Sequence, residues 1–537
     1  MLRHASHFLQ NTHSCSREVP LNFLHKPTVK ALLVQEPPGQ RDTFAVKGQT
    51  VTRNEGLCVR LLAVLCFVPV VSPGAEFHVA SAEEVARAAA EAKPGDVVLM
   101  TGEYWTNQAV IFKARGTPEH PVTLRPATLG GLFLRGKSSL VIDGEYCVAT
   151  GVRLEGKEGG DAIRVLGRHC RLTECSVVGG AYKYFVNVDG ERNRIDHCYL
   201  AEKLSEGPTL QVQANGQPND HQIDHNLFGH RPALGQNGGE TIRVGYSQQS
   251  MNVSRTVVER NLFARCDGEL EIISNKSCEN IYRYNTFWDC AGTLTLRHGN
   301  RCLVEGNYFL GHHKPATGGI RVIGEDHVII NNYFDGLEHG VFFLTAGIPE
   351  SPLNGYFQAR NCLIAFNTAV DCKGPIIHLD AGFGTSGRAL RPADITLANN
   401  LSAGRPGEKI LSGQEGLGFR WLGNLADGSS TVTVPETTSA VFLRTNLHLN
   451  RDKHGIMRPD TNSPARRAAA GDFPSVRLDI DGQLRRAPFD AGCDQTDATP
   501  AINRAFGPSD AGGEIGPSWL PAPGGTRAGT AGNSKGP

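Results

Sequence analysis

From about residue 140 to residue 403 the chain repeats one short arrangement of positions: an apolar residue, two mostly polar ones, an Asn or Cys, then a bulky residue. The phrase reads Leu172-Thr-Glu-Cys175, Ile195-Asp-His-Cys198, Ile223-Asp-His-Asn226 and Val258-Glu-Arg-Asn261. It continues as Tyr282-Arg-Tyr-Asn285, Val304-Glu-Gly-Asn307, Ile329-Ile-Asn-Asn332, Ile364-Ala-Phe-Asn367 and Leu397-Ala-Asn-Asn400. Successive Asn or Cys positions are 23, 28, 35, 24, 22, 25, 35 and 33 residues apart. Short alternating segments at such a period predict stacked coils of β-strands, with the longer steps absorbed by loops at the corners. An Asn facing the inside of a corner has donors and acceptors enough to bond both the turn and the Asn one coil away. Cys175 and Cys198 fill the same place as small apolar residues.

The flanks differ. Residues 81–92 have helical composition, with Ser81 placed to cap them and Glu84 three residues on. Such a helix would cover the open first coil, whose edge would otherwise invite strand pairing. Residues 76–403 form the solenoid in this reading. Residues 404–505, which lose the Asn phrase but keep strand-like pieces such as Thr431-Val-Thr-Val434, continue or cap its far end. Residues 506–537 are rich in Gly, Pro, Ser and Ala and are expected to be a disordered tail. Before the solenoid, residues 60–71 form a short apolar run after a basic flank, with small residues behind it. That describes a secretory signal over 57–75. The run is too short to span a bilayer, and the alternative is a buried apolar strand. Residues 1–56 are then expected to be an upstream extension outside the native fold, or disordered, and the mature protein is expected to be secreted or periplasmic.

Composition narrows the function classes. Lys and Arg number 54 and Asp and Glu number 54, so no net basicity suggests a nucleic-acid partner. Gly is abundant at 62 of 537 but follows no triplet period, which excludes collagen. Fourteen Cys are too few for a disulfide scaffold of this length. Cys266, Cys278, Cys290 and Cys302 fall twelve residues apart and have no C-x-x-C pairing for zinc. With a coil near 24 residues, Cys266 is expected to stack on Cys290 and Cys278 on Cys302.

Chemistry concentrates in one stretch. Residues 237–243 read Asn-Gly-Gly-Glu-Thr-Ile-Arg, 267–276 read Asp-Gly-Glu-Leu-Glu-Ile-Ile-Ser-Asn-Lys, and 293–298 read Thr-Leu-Thr-Leu-Arg-His. Strand alternation turns Leu270 and Ile272 inward and Glu269 and Glu271 outward. One coil on, it turns Thr293, Thr295 and Arg297 to the same outer face, with Thr295 beside Glu271. Lys276 follows just beyond. Outward carboxylates with a nearby Asn suit Ca²⁺, a hard cation. Such an ion can hold the carboxylate of an acidic sugar and acidify the adjacent C–H, the difficult step in β-elimination from a uronate. A Lys amine can then act as base where nearby positive charge lowers its pKa. Arg297 can stabilise the developing charge or assist the leaving oxygen.

Glu269 to Ser277 and Leu296-Arg-His-Gly-Asn300, with Asn237 to Arg243 upstream, resemble the central motifs of the chondroitinase B/alginate lyase family, polysaccharide lyase family 6. The similarity runs from Phe77 through Asp-Ile-Asp-Gly-Gln at 479–483. The resemblance implies an all-β, right-handed parallel β-helix. It implies Lys276 as base, Arg297 as acid, and Asn237, Glu269 and Glu271 as Ca²⁺ ligands, with Glu240 a weaker candidate. It also suggests His298 and Arg321 as substrate contacts. Arg243 fits either a positive groove or an ion pair with Glu269 or Glu240. The implied substrate is an acidic polysaccharide: alginate by preference, because most of that family acts on it, and dermatan sulfate otherwise. Two rival readings are a glycoside hydrolase on the same scaffold, using the two Glu residues and no Lys, and a carbohydrate-binding solenoid without catalysis. Glu269, Glu271, Lys276 and Arg297 as an ordinary solvated face is the blandest alternative.

Overall fold

Each repeat of the phrase builds one corner between two short strands, and its apolar residue occupies the same register position in every coil. Leu172, Ile195, Ile223, Val258, Tyr282, Val304, Ile329, Ile364 and Leu397 form one parallel column of paired residues. All of them are buried. The computed structural model describes residues 74–156, 158–428, 442–496 and 500–521. Within these, two sheets of 14 strands and one of 12 run the length of a parallel β-helix.

The residue before each Asn or Cys adopts a left-handed conformation: Glu174, His197, His225, Arg260, Tyr284, Gly306, Asn331, Phe366 and Asn399, with φ between 48 and 64°. For the eight that are not Gly this costs roughly 1 kcal/mol each. The ladder inside the corner offsets it. Asn226 Nδ2 donates to Asn261 Oδ1 (3.0 Å), Asn261 to Asn285 (3.0 Å), Asn285 to Asn307 (3.0 Å) and Asn307 to Asn332 (2.9 Å). The chain of bonds goes on through Asn367 and Asn400 to Asn424. Each ladder Oδ1 also accepts the backbone N–H of the preceding corner, as Asn285 N to Asn307 Oδ1 at 3.0 Å. Alongside it Phe228, Phe263, Phe287, Phe309 and Phe334 stack at 4.5–4.8 Å between ring centroids.

The helix Ala82–Glu91 buries Val85, Ala88 and Ala89 against the first coil, beside the strand Ala109–Phe112. Ser81 Oγ accepts the Glu84 N–H (3.2 Å), and the Glu84 carboxylate takes the Ala80 N–H (2.7 Å), one residue earlier than a standard capping box.

Several expectations need correction. Cys266 does lie on Cys290, whose Sγ accepts its N–H at 3.4 Å. Cys278 lies instead on Asn300, because that coil step is 22 residues (276 pairs with 298). The eleven described cysteines are all free thiols. Beyond residue 404 the strands Leu411–Ser412, Arg420–Leu422, Asn424–Asp427 and Phe442–Thr445 extend the solenoid. The chain then turns back along the flank instead of capping the end. Ile456, Ile480 and Cys493 pack on Tyr308, Tyr333 and Val370. Residues 506–521 are no free tail: Phe506, Ala511 and Ile515 cover Leu227 and Leu262. Trp519 Nε1 donates to Glu174 O at 2.8 Å. A few large apolar groups suffice there because Leu227 and Leu262, paired in register, already offer apolar surface to cover. The signal segment 57–75 apart from its last two residues, the extension 1–56, Thr431–Val434 and residues 522–537 lie outside the described residues. No described helix is long and apolar enough to cross a membrane.

Candidate active site

The site lies on the outward face of the 12-stranded sheet, over the neighbouring strands Ile242–Gly245, Glu271–Lys276, Gly292–His298 and Thr317–Val322. Its register is broken three times, between Glu271 and Ile273 and between Asn275 and Lys276 on one strand pair, and between Gly292 and Leu294 on the next. These irregularities change the expected placement. Leu270 points outward and is 50% exposed, while Ile272 and Ile273 are both buried. Thr293, not Thr295, pairs with Glu271, and Thr295 pairs with Ser274. Bulges of this kind re-aim side chains, which simple alternation cannot anticipate.

The glycines of Asn237-Gly-Gly-Glu240 have a packing reason. A Cβ on Gly239 would come 2.3 Å from the Gly268 carbonyl oxygen, and one on Gly268 would come 2.6 Å from Arg231 Nε. The two backbones thus touch, and Gly238 N–H reaches Glu269 Oε2 at 3.1 Å. Beneath them Arg231 is buried and donates to Thr209 Oγ1 (3.0 Å), to the Gly207 carbonyl (2.9 Å) and to the Glu240 carbonyl. Burial lowers its guanidinium to about 10.

Three carboxylates converge here. Glu269 is pushed up to about 7 by burial and by the charges of Glu240 and Glu271. Its Oε1 is buried without a partner, and so is Oε2 of Glu240. Glu271 accepts from Ser274 Oγ and stands between Arg321 (3.6 Å) and Arg297 (4.0 Å). Among the described residues no three His, Cys, Asp or Glu side chains form a ready metal cage. Glu269 and Glu271 offer carboxylate oxygens, the donor type a hard cation takes, and Glu269 Oε1 is buried without a partner, while Asn237 of the neighbouring loop is exposed.

Lys276 Nζ lies 3.7 Å from Glu240 Oε1, which Arg243 shares at 3.4 Å. The ion-pair partner of Lys276 among the described residues is therefore a carboxylate. Arg243 is tied into an ion pair, donates to Gln211 (2.7 Å) and stacks over Tyr246 (4.8 Å). His298 sits opposite Lys276 in register, wholly buried with its Nε2 unpartnered. Burial, Arg297 and Lys276 hold it down to about 3, so it is neutral. Its Nδ1 lies 3.4 Å from Arg297, which makes it a support for that side chain rather than an open surface contact. Arg321 pairs with Thr295 one strand over and faces the groove.

Sequence reasoning brought Lys276, Arg297, Glu269, Glu271, Arg243 and Arg321 together, and they are together. It undervalued Glu240, which pairs with Lys276, and missed residues 346–358. That loop donates nothing to the repeat, yet its Gly355 carbonyl accepts from Arg297 (2.8 Å) and its Tyr356 ring lies 4.2 Å from the Arg297 guanidinium.

A parallel β-helix carrying a Lys, several Arg and clustered carboxylates on one outward sheet defines a class of acidic-polymer enzymes. The Chondroitinase B family model matches residues 79–415, and the chain belongs to that family, polysaccharide lyase family 6. Among solved structures it is similar to the family 6 alginate lyase AlyGC, with 35% identity and a TM-score of 0.68 over 72% of this chain. It spans only 56% of AlyGC's length. A mannuronic acid specific family 6 lyase from the human gut microbiota is 30% identical, with a TM-score of 0.61 over 69% of this chain and 91% of its own. Curated protein sequences give no match.

Proposed function

We propose that this protein is an exported polysaccharide lyase that cleaves a polyuronate, alginate before dermatan sulfate, by β-elimination. The observation that carries the reading is the convergence of Lys276, Arg297, Arg321 and the carboxylates Glu240, Glu269 and Glu271 on adjacent coils. Both relatives described above are family 6 lyases, one titled an alginate lyase and the other mannuronic acid specific, which favours alginate. Asn237, Glu269 and Glu271 would hold Ca²⁺. Bound there, the ion would withdraw charge from a uronate carboxylate and so acidify the adjacent C–H. Lys276, held by Glu240, takes the C5 proton. Arg297, steadied by His298, Glu271 and the Gly355 carbonyl, attends the leaving glycosidic oxygen and the charge that grows there. Arg321 and Arg243 hold carboxylates of the polymer to either side. The apolar run at 60–71, which reads as part of a secretory signal, supports placing this chemistry outside the cytoplasm, where such polymers occur.

The test is a panel of alginate blocks and dermatan sulfate, followed by ultraviolet absorbance of the unsaturated product. Absorbance should rise fastest on an alginate block, fall with chelator and return with added Ca²⁺. Shortened polymer without new absorbance would make the protein a hydrolase, and chelator-insensitive turnover would remove the ion from the scheme.

A further inference from the structure

Residues 203–209, 231–240 and 265–270 make the same turn in three successive coils and lead into the strands of the site. Arg231, only 2% exposed, ties the three together from below. Its guanidinium donates to the carbonyls of Ser205 (3.4 Å) and Gly207 (2.9 Å) and to Thr209 Oγ1 (3.0 Å) in the first turn. In its own turn it donates to the carbonyls of Gly238 (3.4 Å) and Glu240. Its backbone N–H reaches the Arg265 carbonyl (3.1 Å), and its carbonyl accepts the Asp267 N–H (2.9 Å) of the third. Lys203, also buried, places its Nζ on the Ser205 carbonyl (2.8 Å) and hydroxyl (2.6 Å) and on the Glu206 carbonyl (3.1 Å). Neutral acceptors thus surround both cations. Packing alone does not account for this, since apolar residues fill a buried place at least as well as uncancelled charge. The carboxylates whose charge Arg231 does feel are Glu240 and Glu269, two acids of the site.

We infer that Arg231 is a positioning residue of the site: its guanidinium clamps the Asn237–Glu240 turn onto the coil before it and sets a positive charge beneath Glu240 and Glu269. The inference rests on the lyase reading above. Glu240 is the partner of Lys276 (3.7 Å), and Glu269 takes the Gly238 N–H (3.1 Å), so both depend on where this turn lies. Freed from the clamp, the turn would have to be ordered by the incoming ion and polymer, and binding would weaken by that cost. A Lys could carry the charge, but its three donors cannot reproduce a planar fork that serves four carbonyls and a hydroxyl.

Arg231→Lys therefore keeps the charge and loses the clamp. In the full chain, at a temperature where circular dichroism shows the variant folded, we expect calorimetric Ca²⁺ affinity to fall about 10- to 100-fold. At saturating Ca²⁺, kcat on the preferred polyuronate should fall about tenfold or more, with KM within about threefold because Arg231 does not touch the polymer. Asn307→Ala, which weakens the distant Asn ladder, should change neither Ca²⁺ affinity nor kcat. Values for Arg231→Lys within about threefold of wild type, or the same losses in Asn307→Ala, overturn the proposal and leave Arg231 as scaffold. Should Arg231→Lys fail to fold, Thr209→Val removes one partner of the guanidinium and replaces it: Ca²⁺ affinity should fall about threefold, and an affinity equal to wild type overturns the assignment. Wild-type protein that gives unsaturated product but no heat with Ca²⁺ removes the ion from the reading above, and kcat then decides for Arg231. Wild-type protein that yields no unsaturated product on any polyuronate is the separate outcome that brings down the lyase reading itself.

Discussion

The Asn-lined corner and the candidate site are built from the same coils but obey opposite rules. Along the corner every ladder Asn from Asn226 to Asn400 bonds the next, and none is among the described buried groups without a partner. Register there is unbroken from coil to coil. At the site two register shifts fall within one strand pair, and Glu240, Glu269 and His298 each keep a buried atom unpartnered. An unsatisfied buried polar group costs about 1–3 kcal/mol. The site is therefore maintained at the expense of a scaffold stable enough to carry it, and its open valences are where an ion and a charged sugar would enter. Stability and chemistry have been assigned to different parts of one coil: a corner and a sheet face.

That contrast can be broken most sharply at Lys276. Lys276→Ala should lower the rate of unsaturated-product formation by about 10³-fold or more, while circular dichroism and melting stay near wild type. A large loss of melting temperature instead would make Lys276 part of the scaffold. The converse variant is Asn307→Ala, in the middle of the ladder. It removes the acceptor of the Asn285 backbone N–H (3.0 Å), one of the two acceptors of the Asn285 amide (3.0 Å, the other being the Val258 carbonyl) and a donor to the Tyr282 carbonyl. Denaturant unfolding should show a loss of about 4 kcal/mol, with kcat per folded molecule preserved. A variant that unfolds normally but turns over slowly would erase the division of labour.

A smaller effect sharpens it. The corner between the site strand Thr317–Val322 and the next strand, Val328–Ile330, is not a pure ladder: there His327 Nδ1 accepts from Cys302 N (3.2 Å), and its Nε2–H donates to the Ile323 carbonyl (3.0 Å). Burial holds His327 down to about 4. Its folded pKa lies below the unfolded value, so its stabilising contribution is complete above about pH 6.5 and is lost as pH falls toward 4. The loss amounts to about 3 kcal/mol over that window. Denaturant midpoints measured at pH 7 and pH 4.5 should therefore differ less in His327→Gln than in wild type. Equal differences would show that this corner does not titrate.

The two regions also differ in how far the sequence alone could describe them. The ladder was legible because each corner is a local solution repeated: an apolar residue, a left-handed residue and an inward Asn satisfy the same backbone groups in every coil, so the pattern recurs in the chain itself. The charged residues of the site were legible for a related reason, since they fall on neighbouring strands one period apart. The bulges that expose Leu270 and shift Thr295 away from Glu271 were not, because strand alternation holds only while register is kept. Nor was the burial of His298, the Glu240 anchor or the return of residues 506–521 along the flank. The sequence by itself determined the solenoid, its core column and which charges share a face, because those depend on contacts one coil apart. Only the tertiary structure decided how Tyr356 meets Arg297, 59 residues earlier, and Ser250 meets Leu353, 103 residues later. Loops of unequal length carry no period, and their meeting is settled by the packing of the whole groove.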